Sequence, residues 1–280
     1  MKWQSSRRST NIDDRRGRGL PGGGPAVGGL GALLLALVVA FLGGDPSVVL
    51  QPGVEVSPYD NAPPVSQMES DRSAEFVSAV LGETEDTWQS IFRVEFGAPY
   101  QEPSLVLYSG ATQSACGTGR SAMGPFYCPA DQTIYLDTSF FRDLEVRHGA
   151  PGEFAQAYVI AHEVGHHVQN LLGVSSQVQR AQQRVNRTQA NDLSVRLELQ
   201  ADCFAGVWAH QAQVARDILE EGDIEAALNA ASQIGDDRLQ MEAQGYVTPD
   251  SFTHGSSQQR AEWFYRGIEN GSVNQCNTFD

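Results

Sequence analysis

The sequence has no CxxC pair and few basic residues beyond its first 20 positions. Zinc sites built from four thiolates use closely spaced cysteines, so the missing pairs argue against that class of site. Six of the 19 basic and two of the 34 acidic residues lie within positions 1–20, which leaves 13 basic against 32 acidic residues. This acidic part is a poor candidate for nucleic-acid binding, because phosphate contacts need clustered lysines and arginines.

One uncharged apolar run covers residues 26–42 (AVGGLGALLLALVVAFL), and its 17 residues are at the short end for a membrane-spanning helix. Basic residues precede the run and Asp45 follows it. The positive-inside rule then places the start of the chain in the cytoplasm and the rest outside. We therefore predict a disordered basic cytoplasmic head over 1–25, a transmembrane signal-anchor over 26–44, a Pro-, Ser- and Gly-rich linker over 45–70 and a folded domain over 71–280.

Two alternatives compete with an uncleaved anchor. A signal peptidase could cut after Ala40, because Val38 and Ala40 are acceptably small. The long head and the glycines of the run favour the anchor instead. The run could also be a buried core helix, which its polar, glycine-rich flank disfavours.

Hydrophobic periodicity in the folded domain favours an α+β fold that is mostly helical, with a small sheet ahead of the motif helix. Gly82 is a candidate break in the first helix, and Gly173 is a candidate C-cap for the second. Strands are predicted over residues 104–108 and 133–136. Helices are predicted over residues 72–96, 153–172, 177–189, 193–219, 224–243 and 256–270.

The motif that carries chemistry is HEVGH at residues 162–166. His162 and His166 are four residues apart, so a helix presents both imidazoles on one face toward a single ion. Glu163 sits beside them, where it can reach a zinc-bound water without being a ligand. Gly165 leaves room for another segment to approach the helix closely. The competing interpretation is a helix with surface histidines, and a third ligand is needed to decide against it.

The third ligand is predicted from a second helix. A metzincin-type site needs a histidine six residues after His166, and that position is Leu172, which excludes the type. Glu198 follows in RLELQADCFAGVWA, with Asp202 four residues later on the same helical face. We predict Glu198 as the third ligand. Asp202 is then the carboxylate that accepts the free N–H of a ligand histidine. Surface positions are the competing interpretation for both.

Four cysteines, an even number, suggest two disulfides in an exported chain. Cys116 and Cys128 would close a short glycine-rich loop. Cys203 would then pair with Cys276 and tie the C-terminus back to the core. Buried free thiols are the alternative.

Five stretches, spread from one end of the chain to the other, resemble the neutral zinc metallopeptidase family of bacteria. They are KWQSSRRSTNIDDRRG, CGTGRSAMGPFYCPADQTIYLD, HEVGHHVQN, ELQADCFAGVWA and THGSSQQRAEWFYRGIENG. The resemblance implies a single-anchor membrane protein with a zincin-like, gluzincin-type core. It also implies one zinc ion held by His162, His166 and Glu198, with Glu163 as the base, and peptidase activity.

The predicted chemistry is hydrolysis of a peptide bond. Glu163 would take a proton from zinc-bound water, which attacks the carbonyl, and pass it to the leaving amine. The tetrahedral oxyanion needs another donor, and His254 in a Gly- and Ser-rich loop is the candidate, with Arg260, Tyr246 and Tyr135 as weaker ones. The 133–136 strand could pair its edge with an extended substrate.

The function predicted first is a membrane-anchored zinc metallopeptidase, a hydrolase with a peptide or protein substrate and no nucleic-acid partner. It would be a single-pass cell-membrane protein whose N-terminus is cytoplasmic and whose catalytic domain is extracytoplasmic. The alternative is a catalytically silent, zinc-stabilised binding or scaffold module of the cell envelope. Glu163 favours the enzyme, because a purely structural site needs no base beside a water position. A metal hydrolase acting on a non-peptide amide, such as a cell-wall bond, is a third option.

Overall fold

Eight α-helices and six short strands form the part of the chain that this computed structural model describes, residues 1–17 and 67–279. These residues belong to one folded unit. The helices are α1 (Gln67–Ile91), α2 (Ser139–Val146), α3 (Glu153–Leu171), α4 (Val174–Gln182), α5 (Arg187–Arg216), α6 (Asp223–Gln233), α7 (Asp236–Gln244) and α8 (Ser257–Asn270). The strands are β1 (Ile12–Asp14), β2 (Ser104–Tyr108), β3 (Ala111–Ser114), β4 (Gly117–Arg120), β5 (Phe126–Cys128) and β6 (Thr133–Asp137).

The main sheet has the strand order β1-β2-β6-β5. β1, β2 and β6 are parallel, and β5 pairs antiparallel with β6. β3 and β4 form a separate antiparallel hairpin. Side chains of β2 and β6 are buried on both faces of the sheet, as expected for central strands covered on two sides. The α+β class predicted from the sequence is therefore confirmed.

Two helices, α5 and α8, begin at capping boxes. Asn186 caps α5, since its side chain accepts the Gln189 N–H at 3.0 Å and Gln189 returns a bond to the Asn186 N–H. Ser256 caps α8 in the same way. The predicted start of α5 at residue 193 was therefore six residues late. Gly82 does not break α1, which continues to Ile91 before a π-helical turn.

The prediction of a disordered head is wrong for residues 1–17. Met1 and Trp3 are each only 4% exposed, and β1 pairs with β2. Residues 18–25 lie outside the described residues. Residues 67–70, which the sequence assigned to the linker, are the first turn of α1. The folded unit therefore includes residues 1–17 and begins again at Gln67 rather than at residue 71.

The predicted transmembrane signal-anchor at residues 26–44 also lies outside the described residues, as does most of the predicted linker. Within residues 1–17 and 67–279, no helix combines the length and apolar character needed to cross a membrane.

Both predicted disulfides are present. Cys116 is bonded to Cys128, and Cys203 on α5 is bonded to Cys276 beyond α8. The first bond closes the loop that contains the β3–β4 turn and leads into β5. The second holds the C-terminal residues against the helix that carries Glu198.

Candidate metal centre

Helices α3 and α5 are in close contact at Gly165. A Cβ atom there would lie 2.9 Å from the carbonyl oxygen and 3.1 Å from the Cα of Ala201, so only glycine fits without a shift of α5. His162 and His166 flank Gly165 on α3, and Glu198 lies one turn before Ala201 on α5. The backbone contact therefore sets how close the glutamate comes to the two histidines.

The three predicted zinc ligands meet at this contact. Donor atoms of His162, His166 and Glu198 all lie within 4.8 Å of one another. Glu198 Oε2 is 3.2 Å from His162 Nε2, and Glu198 Oε1 is 3.4 Å from His166 Nε2. The side chains are 8%, 16% and 17% exposed, so the cluster is mostly buried but keeps some contact with solvent. An ion held here would remain within reach of water.

The other ring nitrogen of His162 faces Asp202. Its Nδ1 lies 2.7 Å from Asp202 Oδ1, within a fully buried network. The Tyr158 hydroxyl and the Arg260 guanidinium also donate to this carboxylate, with Arg260 Nε 2.9 Å from Oδ2. Burial raises the pKa of Asp202, but Arg260 and His162 outweigh burial and lower it to about 2. A charged Asp202 thus keeps the proton of His162 on Nδ1 and turns the Nε2 lone pair toward Glu198.

Gln169 plays the corresponding part for His166, and the sequence analysis missed it. Its Oε1 lies 2.9 Å from His166 Nδ1, while its amide nitrogen donates to the Leu197 carbonyl at 2.6 Å. Gln169 is fully buried and lies three residues after His166 on α3. A polar residue at that helical spacing on a buried face was the available signal.

The electrostatics of the cluster favour a positive charge. Burial lowers the pKa of His162, but Asp202 and Glu198 overcome it and raise the pKa to about 10. Burial likewise lowers the pKa of His166, and Glu198 raises it above its ordinary value. A field that stabilises an added proton also stabilises a divalent cation, which would keep both imidazoles neutral. Two imidazole nitrogens and one carboxylate match the donors of zinc sites that keep an open position.

Glu163 lies beside the cluster without joining it. It is 7% exposed and follows His162 directly on α3. Successive side chains on a helix point about 100° apart, so Glu163 lies at the rim of the ligand face. This is the position that a base acting on a bound water requires.

His254 lies in the loop before α8 and is held by Asp236, which the sequence analysis also missed. Its Nδ1 is 3.2 Å from Asp236 Oδ1, and Asp236 Oδ2 accepts the backbone N–H of Thr253, His254 and Gly255. The hydrogen bond to Asp236 raises the pKa of His254, and burial lowers it. The charge of Glu198 raises this pKa further, and the charge of Arg260 lowers it. The His254 side chain is 52% exposed. Among the described residues, it makes no hydrogen bond to His162, His166 or Glu198.

Two of the weaker candidates for an oxyanion donor already have other partners. Arg260 is 3% exposed and is bound to Asp202, and the Tyr135 hydroxyl donates to Asp131. Tyr246 is 61% exposed. Arg260 therefore acts on the ligand His162 through the Asp202 carboxylate.

The predicted substrate-binding edge at residues 133–136 is wrong. These residues form β6, which has β2 on one side and β5 on the other, so it has no free edge. The neighbouring edge strand is β5. The Tyr127 hydroxyl of β5 lies 3.0 Å from His167 Nδ1 and accepts from Asn170 Nδ2 at the same distance. The edge of the sheet is therefore fastened directly to the helix that carries the motif.

The chain is similar to known proteins over its whole length. The family model described as "Putative neutral zinc metallopeptidase" matches residues 1–279. The chain belongs to this family. It is 51% identical over 295 aligned residues to the uncharacterized protein YpfJ of Escherichia coli K12, covering 100% of this chain and 99% of that protein. An uncharacterized protein of Mycobacterium bovis is 45% identical over 190 residues, which is 64% of this chain and 63% of that protein. No solved structure matches.

Asp202→Asn should weaken zinc binding by roughly 10–100-fold, as loss of a carboxylate behind a ligand histidine does. Asparagine keeps the shape but removes the charge that fixes the His162 proton. Competition with a chromogenic chelator measures the affinity. Asp192→Asn, which breaks only an exposed pair with Arg196 on the same helix, is the control. Equal affinities in the two variants would remove Asp202 from the metal site.

Proposed function

We propose that this family member is a zinc-dependent metallopeptidase with one zinc ion, held by His162, His166 and Glu198. One observation carries the proposal. Both histidines have Nδ1 occupied by a partner and present Nε2 toward the same carboxylate, beside a glutamate that is not a ligand. A purely structural zinc site would need neither that glutamate nor access to water.

Bound zinc would supply the Lewis acidity that activates water and polarises a carbonyl oxygen. The chain supplies the proton transfers. Glu163 accepts the proton of the attacking water and then donates it to the leaving amine, so the carboxylate ends the cycle unprotonated. The carbonyl carbon gains the water oxygen and loses the amine, which balances the hydrolysis. Asp202 and Gln169 keep both ligand histidines in the tautomer that this chemistry needs.

His254 is the proposed donor to the tetrahedral oxyanion. Asp236 and the Thr253 hydroxyl both lie within hydrogen-bond distance of its Nδ1, so its Nε2 is the atom available for substrate. An imidazole whose Nδ1–H is already donated needs a second proton on Nε2 to donate there. The active form is then the cation, and Asp236 stabilises it by raising the pKa of His254.

Activity should therefore fall as the pH rises through the raised pKa of His254, because the cation loses its Nε2 proton. Asp236→Asn removes the negative charge, lowers that pKa and moves the alkaline limb of kcat/KM to lower pH. Asp237→Asn is the matched control, since Asp237 bonds Ser257 and makes no bond to His254. An alkaline limb at the same pH in all three proteins would rule out this role.

The proposed substrate is an extended peptide that lies along β5. Among the described residues, β5 is the edge strand that pairs antiparallel with β6, and Tyr127 ties it to His167 next to a metal ligand. An extended chain could add to such an edge by backbone hydrogen bonds. The zincin-like fold and gluzincin-type ligand set expected from the sequence are part of this proposal.

The direct test uses the full-length protein and a panel of quenched peptides, with a cell-wall amide included. We expect peptide cleavage that a zinc chelator abolishes and that added zinc restores. Glu198→Ala should lose both zinc and cleavage. Zinc binding at the expected stoichiometry with no cleavage of any substrate would favour a silent scaffold. Cleavage of the cell-wall amide alone would favour the non-peptide hydrolase.

A further inference from the structure

The N-terminal segment, residues 1–17, is built into the folded unit that carries the metal centre. Trp3 packs edge-on against Phe76, with ring centroids 5.5 Å apart, and its indole N–H donates to Glu153 at 2.8 Å. Glu153 is the first residue of α3, the helix of the metal ligands. β1 then extends the main sheet in parallel beside β2. The segment therefore contacts both the sheet and the start of the motif helix.

Gly82 on α1 allows the N-terminal segment to pack directly against this helix. A Cβ atom at Gly82 would lie 2.6 Å from the Arg7 carbonyl oxygen and 3.3 Å from the Ser9 nitrogen. The Ser9 N–H donates to the Ser78 carbonyl at 2.9 Å, and the Ser78 hydroxyl donates back to the Ser9 carbonyl at 3.1 Å. The backbone of the segment thus contacts the backbone of α1 directly. A residue larger than glycine at position 82 would keep the two apart.

Four of the five basic residues of this segment form ion pairs with the acidic domain. The ion pairs join Lys2 to Asp217, Arg7 to Glu85 and Asp86, Arg8 to Glu75, and Arg16 to Asp71. Arg15 and Arg16 also pair inside the segment, with Asp13 and Asp14. In the sequence, these charges were the argument for a cytoplasmic head. In the structure, they complement the negative surface of the domain, so they have a role that needs no cytoplasmic location.

The two flanks of residues 18–66 meet on this one unit. Arg16 Nη1 donates to the Ser70 hydroxyl at 2.7 Å, and its Nη2 lies 3.7 Å from Asp71. A chain that crosses a membrane once has its flanks on opposite faces. That arrangement would pull β1 from the sheet. Cleavage after Ala40 would likewise remove β1 and Trp3 from the fold.

We propose that residues 1–17 lie on the extracytoplasmic side together with the metal centre, on the same side of the membrane as residues 67–279. The two disulfides indicate that the folded unit is on the extracytoplasmic side, because such bonds persist in oxidising compartments. This topology replaces the cytoplasmic head expected from charge alone. It is independent of whether the metal centre is catalytic.

Cysteine labelling of the full chain in cells tests the topology. Gln4→Cys places a thiol on the exposed part of the segment, and Gln179→Cys places one on α4 of the domain. The native cysteines are all in disulfides and stay silent. A membrane-impermeant maleimide added to spheroplasts should label both variants equally before lysis. Labelling of Gln179→Cys alone would overturn the proposal, as would labelling of neither variant until detergent is added.

A second variant tests the docked state itself. Ser9→Cys/Ser78→Cys should form a disulfide in isolated membranes, found as one linked peptide by mass spectrometry after digestion. Ser9→Cys alone is the control and should give no such peptide. If the double variant never cross-links, the segment is not docked on the domain and the proposal fails.

Discussion

Glu163→Gln should abolish peptide cleavage while leaving zinc bound. Glutamine is nearly the same size as glutamate but accepts no proton at neutral pH, so the attacking water loses its base. A positioned general base contributes roughly 10²–10⁴-fold to the rate, and we expect kcat to fall by that factor with little change in KM. Zinc content by mass spectrometry and kcat on a quenched peptide are the two measurements.

Two further variants sharpen the result. Glu163→Asp keeps the carboxylate but withdraws it by one methylene, so it should retain part of the activity. Glu145→Gln, on the exposed face of α2, should behave as wild type. A Glu163→Gln protein that cleaves as fast as wild type contradicts the proposed mechanism. One that loses zinc would instead show that Glu163 holds the ion.

The sequence predicted the centre of this site better than its surroundings. Histidines four residues apart on a helix must share a face, so His162 and His166 follow from spacing alone. Glu198 does not follow from spacing, since the sequence shows neither the crossing of α3 and α5 nor their contact at Gly165. Gln169 and Asp236 were missed. Each acts through a hydrogen bond to a histidine, Gln169 to His166 and Asp236 to His254. The sequence does not show these pairings, because they form only in the folded chain.

The sequence predicts the fold class, but it does not predict that the basic N-terminal segment is folded. Apolar periodicity located α3, β2 and most of β6, because burial on one face leaves a period in the sequence. The ends of the helices depended on caps, such as Asn186, that periodicity does not reveal. The N-terminal segment is predicted to be disordered because it is rich in Arg, Ser and Gly and has little apolar surface to bury. Most of its basic residues instead pair with acidic residues of the domain, as far as 215 residues away in the sequence.

Trp3→Ala should destabilise the whole folded unit. It removes a nearly fully buried ring from its contact with Phe76 and leaves Glu153 without the indole donor. Replacing a buried tryptophan by alanine costs about 3–5 kcal/mol. For a unit of this size, that loss lowers Tm by roughly 6–20 °C. Thermal unfolding of the detergent-purified full-length protein, followed by circular dichroism, measures it.

Trp3→Phe separates the two contributions. It keeps the aromatic packing and loses the bond to the Glu153 carboxylate, so its cost should be nearer 1.5–3 kcal/mol, about that of a hydrogen bond to a charged group. Gln4→Ala, at the exposed neighbour, should leave Tm unchanged. If Trp3→Ala also leaves Tm unchanged, the segment does not belong to the unit. If Tm falls, a fragment that starts at Gln67 lacks part of its own core, and inactivity of that fragment would not argue against the metal centre.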